Sequence, residues 1–421
     1  MMAANQKSIY VYDGFSSEEP VLMGILYVNV IKGTESYSFE YESEWLKKTK
    51  LSFSLDPAIM PYAGRQYPTA KNIFGIFADA SPDRWGRILM NKRERLLAGK
   101  EGRKPAKLYD SDYLLGVYDE SRMGGIRFKT NPDGPFLSDD KDTAVPLWET
   151  LRSLEEASRN FESDETGLSA KWLNQLIRPG SSLGGARPKA TVADTSGQFW
   201  IAKFPSGNDE NDTGAWEMVA HDLAEMCGLN VPQAKLEKFS SLGSTFIVKR
   251  FDRVNGKRIH FASAMTLLGK TDGASAADGT SYLDMAAFIR ANGAQPKKDL
   301  AELWKRIVFN MAVTNTDDHL RNHAFILTEK GWLLSPLYDV NPVPYGNELS
   351  LNVDEGDNSI DIELAVSAAH HFGLNEIEAR ESAENILRTV RSNWPSLASR
   401  HGLSRKQQEE MRPAFSASEN F

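Results

Sequence analysis

The sequence predicts an α+β protein with a β-rich N-terminal part and a mainly helical C-terminal half. Strand-like runs separated by turn residues open the chain, the pattern changes to helical spacing after Pro57, and helical patterns dominate towards the C-terminus. At 421 residues the chain is long enough for two or three domains, because a common domain has about 150 residues.

The composition excludes several classes of protein. Hydrophobic residues make up 41% and charged residues 25%, which excludes a disordered or collagen-like chain. The net charge of −8 argues against a surface that grips DNA along most of its length. With no signal-like start and no long apolar run, we expect neither secretion nor a membrane span. The single cysteine, Cys227, fits a reducing cytoplasm.

The N-terminal region predicts a small β layer followed by helices. The runs SIYVYDG, PVLMGILYVNV and SYSFEYESEW have the β-branched and aromatic residues of strands. Helical spacing follows, with Ile73, Ile76 and Phe77 on one apolar face and Trp85, Ile88 and Leu89 on the next, and Ser81-Pro82 as the predicted start of the second helix. Residues 91–107 hold seven basic side chains against two acidic ones. They are either a solvated helix end or a contact for nucleic acid or an acidic partner.

The second part of the chain predicts hairpins joined by helices. TVADTSGQFWIAKF and KLEKFSSLGSTFIVKRFD each read as two strands around a turn. GAWEMVAHDLAEMCG between them is an amphipathic helix that Gly228 ends. The apolar helix AELWKRIVFNMAV leads directly into the most informative loop of the chain.

That loop, NTDDHLRN, carries the spacing of a phosphoryl-transfer site. Asp317 and Asn322 are five residues apart, the D-x4-N spacing that places one side chain at an incoming hydroxyl and the other on a metal. Asp318 is one residue too close to Asn322 to fit. Asp339, predicted at the end of the next hairpin, would reach the same metal. Asp and Asn are also frequent as loop and helix-cap residues, which is the structural alternative.

Two upstream segments add groups that suit phosphates. Gly184 and Gly185 are adjacent in a loop whose backbone N–H groups could approach phosphate oxygens, although a plain hairpin loop explains them equally well. Lys203 lies in a predicted strand, and Glu217 on the next helix could orient its ammonium. A lysine in a strand commonly faces water, and Phe251 fits either an adenine ring or the core.

The order of these groups is that of a protein kinase, but their spelling is distinctive. The strings FADASPDRWGR, SLGGARPK, KRFDR, NTDDHLRN and SPLYDVNP resemble the HipA family of serine/threonine kinase toxins from bacterial type II toxin–antitoxin systems. The resemblance implies a bilobal protein-kinase-like fold. Its parts would be a HipA-like N-terminal subdomain at 1–145, a kinase N-lobe with phosphate loop and hinge at 146–255, and a helical C-lobe at 256–421.

The resemblance also implies roles for individual residues. Asp317 matches the catalytic base, Asn322 and Asp339 match Mg²⁺ ligands, and Lys203 matches the lysine on the ATP phosphates. Ser182 matches a serine that family members phosphorylate on themselves as an off-switch, with an ordinary turn serine as the alternative. The other ATP-binding positions are the phosphate loop (Gly184, Gly185, Ala186, Arg187, Pro188, Lys189), the hinge (Lys249, Arg250, Phe251), and the further contacts His319 and Tyr338.

The function implied is that of an ATP- and Mg²⁺-dependent protein kinase that causes growth arrest and persistence. An aminoacyl-tRNA synthetase would be its target, with glutamyl-tRNA synthetase as the precedent. A HipB-like helix-turn-helix antitoxin would be its partner and would make most of the contacts to operator DNA. Two alternatives remain open: a protein that works mainly as a DNA-bound corepressor with that antitoxin, and a phosphotransferase for small molecules.

Overall fold

The computed structural model of the chain describes residues 6–49, 54–69, 73–137, 145–163, 173, 176, 185 and 187–419. They divide into two compact units. The first unit comprises Met1–Asn208 and Lys249–Ala262, and the second comprises Asp209–Val248 and Ser263–Phe421. The predicted α+β class, with a β-rich N-terminal part and a helix-rich C-terminal part, is confirmed.

The first unit contains an antiparallel sheet with the strand order β4-β3-β2-β1-β5. Its strands are β1 Gln6–Asp13, β2 Val21–Ile31, β3 Thr34–Tyr41, β4 Arg65–Gln66 and β5 Ile126–Lys129. The three N-terminal strands predicted from the sequence are therefore confirmed. Alternate side chains such as Ile9, Leu26 and Phe39 are fully buried, because successive residues of a strand point to opposite faces of the sheet.

Helices pack beside this sheet. They span Ser43–Lys48, Gly75–Asp79, Arg84–Lys100, Asp110–Leu115 and Leu151–Ser163, with a short 3₁₀ turn at Trp148–Thr150. The helix predicted to start at Ser81-Pro82 begins at Arg84 with Asp83 as its N-cap. Trp85 and Leu89 are buried as predicted, whereas Ile88 is 40% exposed because it falls on the opposite side of the helix.

The basic stretch 91–107 is partly neutralised within itself. Arg103 forms ion pairs with Glu94 and Glu101. The hydrogen bond from Arg103 lowers the pKa of Glu94 to about 2. Lys92 lies over the ring of Phe161 at 4.0 Å. These contacts favour the interpretation of this stretch as a solvated helix end.

The first predicted hairpin is confirmed as β6 Lys189–Ala193 and β7 Phe199–Lys203. Its antiparallel register places Lys189 directly opposite Lys203. Asp194 fixes the turn, because its carboxylate accepts hydrogen bonds from the backbone N–H groups of Ser196 and Gln198. Burial opposes ionisation of Asp194, but its hydrogen bonds, including the one from the Trp200 indole, lower its pKa to about 2. The register of the hairpin is thus set by local turn chemistry.

The second predicted hairpin is confirmed as β8 Ala234–Glu237 and β9 Thr245–Lys249, and a third joins β13 Ala324–Thr328 to β14 Gly331–Leu334. The short strands β10 Arg253–Val254, β11 Lys257–Arg258 and β12 Phe261–Ser263 follow β9 along the chain. The α-helices of the second unit are Thr213–Met226, Ala264–Leu267, Tyr282–Asn292, Pro296–Ala312, Ile362–Ala368, Glu376–Arg400, Arg405–Met411 and Ser416–Glu419. Its 3₁₀ turns are Ala276–Asp278, Leu320–Asn322, Ala369–Phe372 and Arg412–Phe415.

The helix Pro296–Ala312 lies at the centre of the hydrophobic core of the second unit. Trp304 and Ile307 on its predicted apolar face are fully buried, which confirms that prediction. Cys227 is also buried, and this burial raises the pKa of its thiol to about 12. Within the described ranges, none of the helices has both the length and the apolar character needed to cross a membrane.

A carboxylate with two histidines joins two helices of this unit and gives a pH-dependent prediction. Asp222 accepts a hydrogen bond at 2.8 Å from His401, and His221 lies 3.7 Å away. Burial opposes ionisation of Asp222, but the neighbouring His221 and the bond from His401 outweigh it and lower the pKa of Asp222 to about 2. A carboxylate with a lowered folded-state pKa stabilises the fold above its unfolded pKa of about 3.9 and loses this contribution as the pH falls towards 2.

We therefore expect the free energy of unfolding of the wild type to exceed that of Asp222→Asn near pH 5, and the gap to shrink as the pH falls below about 4. Urea unfolding of both proteins at pH 5, 4 and 3, followed by tryptophan fluorescence, measures this gap. A gap that stays constant over this range would contradict the prediction.

Candidate active site

The backbone after the helix Pro296–Ala312 turns sharply into the D-x4-N loop. Thr314 has a φ of +50°, in the left-handed region. That conformation is costly for a β-branched residue, by about 1–3 kcal/mol. Hydrogen bonds from neighbouring groups hold this conformation. The N–H of Val343 donates to the backbone carbonyl of Thr314 at 3.2 Å, and the hydroxyl of Ser350 donates to the backbone carbonyl of Thr316 at 2.7 Å. The loop is therefore fixed in an unusual conformation at the point where Asp317 emerges.

Asp318 anchors this loop through buried hydrogen bonds. It is almost completely buried, and one carboxylate oxygen accepts hydrogen bonds from the Tyr282 hydroxyl at 2.6 Å and the Asn310 amide at 2.7 Å. The same oxygen lies 2.8 Å from Nε2 of His323. Burial opposes its ionisation, but His323 and the hydrogen bonds outweigh burial and lower the pKa of Asp318. Sequence spacing excluded Asp318 from the aspartate position of the D-x4-N pattern, and spacing alone could not reveal its structural role.

Replacing Asp318 by Ala should therefore destabilise the second unit strongly. The change leaves the buried hydroxyl of Tyr282 and the amide of Asn310 without their acceptor, at about 1–3 kcal/mol for each unsatisfied group. Thermal unfolding compared with Asp317→Ala, on the exposed neighbour, measures the difference. Equal melting temperatures for the two variants would show that this network contributes little.

Asp317 precedes Asp318 in the sequence, and Asn322 follows it. Asp317 is exposed, whereas Asn322 is 5% exposed. The amide nitrogen of Asn322 donates to the backbone carbonyl of Asp317 at 2.9 Å. Because this bond uses the nitrogen, it identifies Oδ1 as the end of the Asn322 side chain available to a cation. The loop thus offers an exposed carboxylate and an oriented amide oxygen.

The segment around Asp339 is bonded to the same loop. The hydroxyl of Tyr338 donates to the carbonyl of Arg321 at 2.7 Å, and the N–H of Asn341 donates to Oδ1 of Asn315 at 3.4 Å. The residues flanking Asp339 are therefore joined to residues close to Asn322 and Asp317 in sequence. The structure brings the D-x4-N loop and the Asp339 segment together.

Asp339 itself differs from the prediction in its local structure. The strand β14 ends at Leu334, so Asp339 lies in an irregular segment rather than at the strand end. Pro336 explains the early end, since proline cannot donate to a strand ladder. Asp339 is half-buried and has a φ of +59°. Aspartate tolerates this left-handed conformation better than most residues, and such outliers cluster at functional sites.

The donor atoms suit a hard cation. Asp317, Asn322 and Asp339 offer carboxylate and amide oxygens, which Mg²⁺ prefers. In addition, Oδ1 of Asn341 and Nδ1 of His319 are buried atoms with no hydrogen-bond partner among the described residues. Such atoms occur where an ion, ligand or water completes a site. No group of three or more His, Cys, Asp or Glu suited to a metal occurs among the described residues.

The predicted phosphate loop lies in the first unit. Ser182, Gly184 and Ala186 lie outside the described residues. Gly185 has a φ of +79°, and its N–H donates to the Asp83 carboxylate at 2.6 Å. That N–H was predicted to face a phosphate, and it is occupied here by a carboxylate instead. Arg187 is half-buried, and the carbonyl of the buried Pro188 accepts from the N–H of Phe204 at 2.9 Å.

Lys189 and Lys203 share one face of their hairpin. Residues directly opposite each other in an antiparallel pair point to the same side. Lys189 is 6% exposed and Lys203 is half-buried. The ammonium of Lys189 would lie 2.6 Å from a Cβ added at Gly185, so this cation lies against the glycine backbone. Glu217 is buried on the helix Thr213–Met226 of the second unit, and its pairing with Lys203 stays a prediction.

The predicted hinge, Lys249–Phe251, contains a group with a structural role. Arg250 is 3% exposed, and its guanidinium donates to both carboxylate oxygens of Asp252, at 2.8 and 2.7 Å, and to the carbonyl of Ser121 at 2.7 Å. Its backbone N–H donates to the carbonyl of Phe199. Lys249 and Phe251 are half-buried, and the Phe251 ring packs edge-on against Phe261. The guanidinium and the N–H of Arg250 are thus engaged within the protein, and its carbonyl is the group of Arg250 that stays a candidate nucleotide contact.

Asp252 is the centre of this network and was missed by sequence reasoning. It is fully buried and also accepts hydrogen bonds from Arg253 at 2.8 Å and from the N–H of Gly124 at 2.7 Å. Burial opposes its ionisation, but Arg250 and Arg253 keep its pKa far below the usual range. The available signal was a carboxylate flanked by arginines just after an apolar strand, in KRFDR.

Two family models match the chain. The HipA-like C-terminal domain family matches residues 181–394 and the HipA N-terminal domain family matches residues 23–104. Two proteins of Sinorhizobium fredii match in part: "Putative kinase Y4mE" is 33% identical over 149 residues, and "Putative kinase Y4dM" is 28% identical over 171 residues. These matches span 33% and 36% of this chain but only 33% and 40% of the length of those relatives.

A solved structure matches nearly the whole chain. It is HipA of Shewanella oneidensis MR-1, in a complex with HipB and its operator DNA. The TM-score is 0.67 at 17% identity, covering 98% of this chain and 97% of that one. At this identity the likeness shows the fold alone, and it confirms the predicted HipA-like fold. Because the C-terminal family covers residues 181–394, about half of the chain, this protein belongs to the HipA family.

Proposed function

We propose that this chain is an ATP-dependent protein serine/threonine kinase that acts as the toxin of a toxin–antitoxin module. The observation that carries the proposal is the hydrogen bonding of the D-x4-N loop to the Asp339 segment, through Tyr338 to Arg321 and Asn341 to Asn315. These bonds support a grouping of the Asp317, Asn322 and Asp339 side-chain oxygens, which phosphoryl transfer would require. The names of the partly matching relatives support kinase activity.

In this proposal the exposed carboxylate of Asp317 is the catalytic base. It would orient the hydroxyl of a substrate serine or threonine and accept its proton as the hydroxyl attacks the γ-phosphate. Asn322 and Asp339 would hold Mg²⁺, which when bound neutralises charge on the triphosphate. Asp318 is not a catalytic residue; it positions the loop through its buried hydrogen bonds.

The ATP phosphates would be held by cations of the first unit. Lys189 and Lys203 point to the same side of their hairpin, and the ammonium of Lys189 lies next to Gly185. Like charges on one face of a hairpin repel each other, whereas a polyanion such as a triphosphate attracts both. Lys249 and Phe251, the carbonyl of Arg250, His319 and Tyr338 complete the proposed nucleotide contacts.

The proposed partner is a HipB-like helix-turn-helix antitoxin. The Shewanella HipA structure is a complex with HipB and operator DNA, which supports an equivalent assembly here. Because this chain has a net charge of −8, the antitoxin would make most of the phosphate contacts to DNA. Gel shifts of operator DNA with the antitoxin, with and without this chain, test this, and strong DNA binding by this chain alone would contradict it.

The proposed target is an aminoacyl-tRNA synthetase, with autophosphorylation at Ser182 as the off-switch. A phosphate at Ser182 adds about −1.5 to −2 charges and would repel the phosphates of ATP.

Incubating the chain with γ-labelled ATP and Mg²⁺, with and without a cell lysate, tests the proposed kinase function. Labelled protein supports the proposal, whereas label found only in small molecules would favour a small-molecule phosphotransferase. Phosphopeptide mapping then tests Ser182.

A further inference from the structure

We infer that Asp83 and Trp85, at the start of the helix Arg84–Lys100, are positioning residues that hold Gly185 and Lys189 of the proposed phosphate loop in place. The inference rests on the proposed nucleotide site and extends it to the N-terminal part of the chain. Asp83 and Trp85 lie in FADASPDRWGR, a string that none of the catalytic roles uses.

The first observation is how this helix begins. An aspartate at an N-cap usually accepts a hydrogen bond from its own helix. Asp83 makes no such bond. Instead its carboxylate accepts the N–H of Gly185 at 2.6 Å, 102 residues away in sequence. The negative charge at this N-terminus is therefore directed at the phosphate loop and not at the helix.

The second observation is that the carbonyl of Gly185 is bonded to this helix as well as its N–H. The N–H of Trp85, one of the groups that a helix start leaves unpaired, donates to the carbonyl of Gly185 at 3.0 Å. The peptide groups on both sides of Gly185 are thus bonded to the same helix end. With a φ of +79°, Gly185 has a conformation that few other residues could adopt there.

The third observation connects this contact to the lysines. The indole of Trp85 donates to the carbonyl of Lys189 at 3.1 Å. Lys189 begins β6 and faces Lys203 across the hairpin. Trp85 is itself 2% exposed, in a core cluster with Leu89, Tyr113 and Phe161. A rigidly packed side chain therefore fixes the strand end that carries the first of the two proposed phosphate-binding cations.

The resulting hypothesis is specific. Asp83 and Trp85 do not touch the reacting atoms; they keep Gly185 and Lys189 in place, so that these two residues need not be ordered when ATP binds. Loss of such preorganisation weakens binding because the ordering cost is then met at the moment of binding. It should raise the KM for ATP more than it lowers kcat.

The test measures binding of Mg²⁺ and a non-hydrolysable ATP analogue, AMP-PNP, by titration calorimetry. We expect Asp83→Ala to weaken binding about tenfold, because a charge-assisted hydrogen bond is lost. Asp83→Asn keeps an acceptor oxygen and should bind within about threefold of the wild type. Trp85→Phe keeps most of the ring in the core but loses the bond to Lys189, and should fall between these two. Each variant's melting temperature is measured alongside.

Glu94→Ala is the matched control, because Glu94 lies on the same helix but bonds to Arg103 and Ala106 instead of the loop. It should bind the analogue as the wild type does. Hydrogen exchange of the peptide containing Gly185 gives a second readout and should speed up in Asp83→Ala only. Binding by a folded Asp83→Ala that equals or exceeds that of the wild type would overturn the inference. Failure of the wild type itself to bind would instead overturn the proposed kinase function.

Discussion

Replacing Asp317 by Ala or Asn is expected to reduce phosphoryl transfer by roughly 10²-fold or more. The carboxylate is exposed on a loop that is held by other groups, so its loss leaves no buried partner unpaired. Asn keeps the size of the side chain but cannot accept the substrate proton. The measurement is the initial rate of γ-phosphate transfer to protein at saturating ATP and Mg²⁺.

Two comparisons make this result interpretable. Glu355→Ala removes another exposed carboxylate of the second unit and should leave the rate unchanged. The melting temperature of Asp317→Ala should remain close to that of the wild type, because the anchoring bonds of Asp318 are intact. Transfer by Asp317→Ala at a near-normal rate would exclude Asp317 as the base.

Replacing Asp252 by Asn is expected to cost the first unit about 3–5 kcal/mol of stability, the usual effect of removing one partner of a buried ion pair. The carboxylate is fully buried between Arg250 and Arg253 and accepts the N–H of Gly124. An amide would leave two guanidinium groups in the core without their counter-charge. Urea unfolding followed by tryptophan fluorescence should show a lower midpoint.

An exposed ion pair of the same unit provides the control. Glu18 lies 3.8 Å from Lys257 at the surface, and both side chains are mostly exposed. Glu18→Ala should change the unfolding free energy by less than about 0.5 kcal/mol. An unfolding midpoint for Asp252→Asn equal to that of Glu18→Ala would show that the Arg250 network is not essential to the fold.

The regular elements were predictable because their signals are local. Alternating β-branched residues predicted β1 to β3, and the turn around Ser196-Gly197 predicted the β6–β7 hairpin. The spacing of Leu303, Trp304 and Ile307 predicted a buried helix. Each of these patterns lies within one short stretch of sequence, where propensity and periodicity decide the structure.

The tertiary roles of charged residues were not predictable in this way. Asp317 and Asp318 are adjacent and identical in type, yet one is exposed and the other is bonded to Tyr282 and His323. Arg250 looked like a hinge residue, and its burial depends on Ser121, which is 129 residues away. The bond from Gly185 to Asp83 likewise joins residues that are 102 positions apart in sequence. Burial of a charge depends on such remote partners, and a single sequence does not reveal them.

Because Lys189 pairs directly with Lys203, the side of the sheet that both lysines face depends on the register of the hairpin. A shift of one residue in the pairing of β6 with β7 would turn either lysine to the reverse side of the sheet, and the two side chains would no longer share one face. The turn that sets this pairing, around Asp194, lies at the far end of both strands. A substitution there could thus disable nucleotide capture without touching any group that meets the nucleotide.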